Sequence, residues 1–122
     1  MKRLTWIGLL VSTSLWAADR EAVYQKEIMP ILEKSCLDCH GRDGKKPKGG
    51  FNATSLAGLE KGGKEEGPGI TWGEVEKSSL YRLAHLGATN RADEMAMPPK
   101  DKKQPALTNE QLAKLKAWIE NK

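Results

Sequence analysis

The chain has 122 residues, with 20 Lys+Arg against 16 Asp+Glu for a formal charge of +4, and it is 39% apolar and 30% charged. That length accommodates one domain, because a second core would have too little apolar surface to bury. Two cysteines exclude a disulfide-dense mini-protein, and a charge of +4 with one Phe, four Trp and two Tyr is too mild for a dedicated nucleic-acid binder.

Lys2 and Arg3 precede an apolar run from Leu4 to Trp16, which exits into Ala17, Ala18 and Asp19. A basic start, an apolar stretch and a small-residue exit make a secretory signal pattern. The run is broken by Gly8, Ser12, Thr13 and Ser14 and falls short of the ~20 residues of a membrane span. The expectation is therefore a signal peptide over 1–17 and a mature domain over 18–122, exported to the periplasm or otherwise out of the cytoplasm, with no stable membrane span. An uncleaved anchor is the competing reading, and bulky Leu15 and Trp16 leave the bond itself open. Cleavage leaves Tyr24, Phe51, Trp72, Tyr81 and Trp118 as the aromatics. A core that thin needs a staple.

Residues 22–35 read as a helix, with Val23, Ile28, Ile31 and Leu32 at helical spacing and Pro30 either kinking the segment or restarting it. Residues 41–50 and 61–73 are Gly-rich loops, and 54–59 has room for one short helical turn. Ser78 offers an N-cap to a helix carrying Leu80, Leu83 and Ala84, which Gly87 is expected to end. After an open stretch over 88–105, Thr108 and Gln111 form a capping box for a last helix striped by Leu112, Leu115, Trp118 and Ile119. No strand pattern is visible. The fold class is all-α, three to four short helices separated by Gly/Pro-rich loops.

One motif carries chemistry. Cys36-Leu37-Asp38-Cys39-His40 is the covalent c-type haem attachment spacing. On a helical turn Cys36 and Cys39 share a side, so both sulfurs reach the two vinyl groups of one porphyrin, and His40 offers an imidazole nitrogen to the iron. The weaker alternatives are a thioredoxin-like redox pair, which wants a neighbouring strand, a zinc site completed by His85, and a plain disulfide. For the distal face of the iron Met97 is the first choice, since Pro98 and Pro99 favour a stiff, extended segment behind it. Met95 is the second choice, and His85 reads as a partly exposed helix residue.

These residues resemble the class I c-type cytochromes, and more closely the planctomycete-type cytochrome c domain. The likeness runs from Ile28-Met29-Pro30 through the Cys36–Gly41 motif, Lys48-Gly49-Gly50-Phe51, Gly67-Pro68-Gly69-Ile70 and Met97-Pro98-Pro99-Lys100 to Leu115-Lys116-Ala117-Trp118-Ile119. It implies an all-α, cytochrome c-like fold wrapped on one covalent haem c per chain, with His40 proximal and Met97 distal, serving electron transfer rather than enzymatic turnover. Two departures, Asn52-Ala53-Thr54 where the family tends to carry Arg and Asp, and Trp72 where it often has Pro, are expected to alter the haem rim.

The expected function is a small exported carrier of single electrons between redox partner proteins. The alternative is a haem enzyme or gas sensor with an open sixth iron position. Ile31, Leu32, Phe51, Leu80, Leu83, Leu115, Trp118 and Ile119 are the expected haem walls, each equally an ordinary core residue. His40 is expected to donate its other ring nitrogen to a carbonyl near Pro47. Lys45, Lys46 and Lys48, with Lys100, Lys102 and Lys103, are either solvated loop cations or a patch that steers acidic partners.

Overall fold

A computed structural model describes residues 19–121; the expected signal segment, its cleavage bond, Trp6 and Trp16 lie outside them. Among the described residues there are helices and turns and no strand. Helix α1 covers 19–35 and changes geometry midway: Tyr24–Ile28 is π-helical, and a regular α segment restarts over Met29–Ser35 with Pro30 in its first turn. Proline has no N–H to give and its ring crowds the carbonyl four residues back. The wider π turn just upstream lets the helix pass through Pro30 without ending.

Helix α2 spans Leu56–Lys61, capped by Ser55, whose Oγ accepts from the Gly58 N–H at 3.0 Å. Helix α3 spans Ser79–Thr89 and α4 spans Asn109–Glu120. The capping box at α4 is complete: Thr108 Oγ1 accepts from the Gln111 N–H at 3.1 Å, and Gln111 Oε1 accepts from the Thr108 N–H at 2.9 Å. Ser78 holds the N-cap position of α3 but caps nothing with its side chain. Its Oγ accepts from the Thr71 N–H at 2.9 Å and donates to the Glu74 carbonyl at 3.0 Å. The first N–H groups of α3 go instead to the Pro68 and Gly69 carbonyls, at 3.1 and 3.0 Å. Gly87 does not end α3; it lies buried inside the helix.

The polypeptide core lies where α1 meets α4, with α3 packed on α4. Tyr24 stacks on Trp118 at 6.2 Å between ring centroids, and Trp72 meets Trp118 edge-on at 5.0 Å. Ile28, Ile31, Leu32, Leu112, Leu115 and Ile119 fill the space around them. The Tyr24 hydroxyl donates to the Ala53 carbonyl at 3.2 Å, tying α1 to the long loop region. Leu37 of the attachment motif, with Leu80 and Ala84 of α3, belongs to the same buried cluster.

Candidate functional site

The chain leaves α1 at Ser35 and runs through hydrogen-bonded turns over 36–41. The His40 N–H donates to the Cys36 carbonyl at 3.1 Å, so the motif makes a single helix-like turn beyond the end of the helix. Gly41 follows at φ +115°, and a Cβ there would stand 2.8 Å from Asn52 Oδ1. The turn is thereby pressed against residues 52–54, and the Ala53 N–H donates to the His40 carbonyl at 2.9 Å.

His40 is held from two sides by one residue. Its Nδ1 lies 3.1 Å from the Phe51 carbonyl oxygen, and the Phe51 ring meets the imidazole edge-on at 5.1 Å. A carbonyl only accepts, so Nδ1 carries the proton and Nε2 keeps its lone pair. The acceptor is therefore Phe51, four residues beyond the expected Pro47. Burial holds the His40 pKa below the ordinary value, against smaller upward pulls from the Phe51 and Lys48 carbonyls, so the ring is neutral at neutral pH.

A cavity of about 410 Å³ opens beside this turn, lined by Cys36, Cys39 and His40 from the motif and by Met95 and Met97 from the distant loop. Its apolar wall includes Phe51, Leu80, Leu83 and Ala84. Of the eight expected wall residues, Phe51, Leu80 and Leu83 border the cavity. Ile31, Leu32, Leu115, Trp118 and Ile119 sit in the polypeptide core, because their helix faces turn toward α1 and α4 packing. Asn52 and Trp72 do not border the cavity either: Asn52 Oδ1 accepts from the Thr54 N–H at 2.9 Å, and Trp72 packs on Trp118 beneath the Arg20 guanidinium, 4.2 Å from its ring centroid. Neither departure therefore borders this cavity.

The segment bearing Met97 is fixed at its backbone. The Met97 N–H donates to the Leu83 carbonyl at 3.0 Å, and the helix passes so close at Gly87 that a Cβ there would collide with the Met97 carbonyl oxygen. The chain bends at Met97 and Pro98, whose peptide bond is cis, where a straight extended run was expected. Arg91, which sequence reasoning passed over, donates from Nε to the Pro98 carbonyl at 3.2 Å and from Nη2 to the carbonyls of Pro99 and Lys102, each at 3.1 Å, and of Gln104. Two further bonds tie the end of this strap to the attachment turn: Gln104 Nε2 donates to Asp38 Oδ2 at 2.8 Å, and Ser35 Oγ donates to the Pro105 carbonyl at 2.7 Å. The Gln104 and Arg42 hydrogen bonds hold the Asp38 carboxyl below the ordinary carboxylate pKa.

Met95 also borders the cavity but is 39% exposed, and it faces a second cavity of about 450 Å³ with Tyr81 and His85. His85 is exposed, stacked on Tyr81 at 5.7 Å, and absent from the lining of the first cavity. No cluster of three or more His, Cys, Asp or Glu able to hold a metal ion occurs among the described residues, so His85 does not complete a zinc site with the motif. Burial, with Cys39 beside it, pushes the Cys36 thiol up to about 12, the reverse of the depressed thiolate that a dithiol redox centre needs.

The cavity fits a porphyrin in chemistry: paired thiols, a neutral imidazole with a free nitrogen, thioether sulfurs and an apolar wall, in a volume typical of cofactor pockets. The family model described as planctomycete cytochrome C matches residues 36–101, from the attachment turn to the strap. The chain belongs to the planctomycete cytochrome c family. No curated protein and no solved structure matches it. Membership makes the fold an all-α, cytochrome c-like one and carries the coarse assignment of a haem-binding protein of electron transport, with covalent haem c as the family's cofactor. No helix among the described residues is long and apolar enough to cross a membrane.

Proposed function

We propose that the protein is an exported carrier of single electrons whose one haem c is tethered by Cys36 and Cys39 and ligated by His40 and Met97. The observation that carries this reading is the convergence of the motif and Met97 on one cavity, although they lie far apart in sequence. Cys36 and Cys39 would hold the haem through thioether bonds to its two vinyl groups, and their pairing on one turn suits them to that role. His40 Nε2 is the remaining donor of a ring whose Nδ1–H is already committed to Phe51, which fixes the imidazole's orientation. Met97 brings a neutral, soft sulfur that favours the reduced metal more than a second imidazole would. Phe51, Leu80, Leu83 and Ala84 keep water from the site and lower its local dielectric. Bound there, the haem supplies a one-electron iron couple.

An iron held by both His40 and Met97 would favour electron transfer over ligand chemistry, because neither side chain would have to leave when the charge changes. The test is the absorption spectrum of matured Met97→Ala and Met95→Ala proteins. The methionine–iron charge-transfer band of the oxidised form is lost in the first and kept in the second. A band that survives Met97→Ala overturns the ligand assignment.

A further inference from the structure

The strap over 97–105 has no regular secondary structure apart from turns, and one side chain outside it binds four of its carbonyls. Arg91 sits just beyond the end of α3, half-buried, and four strap carbonyls converge on its guanidinium. The Pro99 carbonyl also accepts from the Lys102 N–H at 3.1 Å, whereas the carbonyls of Pro98, Lys102 and Gln104 have no such backbone partner and must find water or a side chain. Arginine suits such a cluster of acceptors, because its planar fork presents five N–H donors in a fixed arrangement, where a lysine offers one mobile ammonium. Two of the four carbonyls belong to the residues that directly follow Met97. The other two lie further along, close to the Gln104–Asp38 and Ser35–Pro105 bonds to the attachment turn.

We propose that Arg91 is the positioning residue of the distal strap, gathering the carbonyls of Pro98, Pro99, Lys102 and Gln104 so that Met97 stays over the cavity and the sixth iron position stays closed. The proposal rests on Met97 being the distal ligand. Arg91 is not itself a lining residue of the cavity; it acts through the backbone of Pro98, Pro99, Lys102 and Gln104, all of which border it. Without it, only the Leu83 bond to the Met97 N–H and the Gly87 contact hold the start of the strap, and that bond opens more often.

The experiment compares matured wild-type protein with Arg91→Gln, Arg91→Lys and Met97→Ala in two measurements. The first is the charge-transfer band together with carbon monoxide association to the reduced form. The second is hydrogen exchange at the Met97 amide, which reports the strap independently of the iron. In Arg91→Gln the band weakens, carbon monoxide binds about tenfold faster and the Met97 amide exchanges about tenfold faster, while α4 amides keep their protection. Arg91→Lys falls between Arg91→Gln and wild type. Wild-type band, binding rate and Met97 exchange in Arg91→Gln would overturn the role of Arg91 while leaving Met97 as ligand, provided Met97→Ala has lost the band. A band retained in Met97→Ala would remove the ligand reading and this proposal with it. If Arg91→Gln fails to fold, Arg91→Lys decides by the same two readouts.

Discussion

Gly87 and Met97 touch backbone to backbone: a Cβ on Gly87 would overlap the Met97 carbonyl oxygen and lie 2.7 Å from its carbonyl carbon. Helix and strap meet there with no side chain between them, and the Met97 N–H to Leu83 carbonyl bond holds that contact one turn away. Glycine inside a helix costs about 1 kcal/mol relative to alanine. Here the cost secures close approach.

Gly87→Ala therefore goes against helix propensity. The added methyl cannot fit without moving the strap, and overpacking of this kind costs about 1–3 kcal/mol. Thermal unfolding of the matured protein is expected to show a lower midpoint, and the oxidised spectrum a weakened charge-transfer band. An unchanged or raised midpoint with an intact band would show that the strap does not depend on this contact.

What could be read from the sequence was local. Cys36, Cys39 and His40 announce themselves because their spacing fits within one turn, and Thr108 and Gln111 because a capping box spans four residues. The long-range partners escaped, since they are backbone groups that every residue possesses. Nothing in the letters distinguishes the Phe51 carbonyl as the acceptor for His40, or the four carbonyls that meet Arg91. Periodicity marked Leu115, Trp118 and Ile119 as buried but carried no information on whether they reach the cavity wall. Gly87 misled for the same reason: a glycine near a helix end signals termination, and its close neighbour lies in another segment. Arg91 offered one weak signal, a lone arginine in a polar loop just before the Met-Pro-Pro run.

Tyr24 predicts a pH dependence. Burial, with Glu21 adding to it, pushes its phenol up to about 12, and the hydroxyl donates to the Ala53 carbonyl. The folded state thus holds the proton more tightly than the unfolded chain, whose tyrosine titrates near ~10. This stability is fully present below about pH 10 and is lost as pH rises toward 12. Melting temperatures measured across that window should fall more steeply for wild type than for Tyr24→Phe. Equal slopes would show that Tyr24 ionises as freely folded as unfolded.

Lys48, Lys64 and Lys102 border the cavity, so the two lysine clusters are each represented at its rim, and Lys64 adds a third cation the motif-based reading did not include. Exposed charges act over about a Debye length, ~10 Å at 0.1 M salt. Electron transfer with an acidic partner protein should slow as salt is added, and less so after Lys48→Gln and Lys102→Gln together. A small neutral reductant should show no such slope. A salt-independent rate with the acidic partner would remove any steering role for these lysines.

The decisive quantity is the intact mass of denatured protein exported from cells that carry out c-type haem maturation. Covalent attachment predicts a chain that retains the mass of one haem through denaturation, with that mass lost when Cys36 and Cys39 are both replaced by Ala. A haem-free chain lighter by two hydrogens, with Cys36 joined to Cys39, would refute the tether and the electron-carrier reading together.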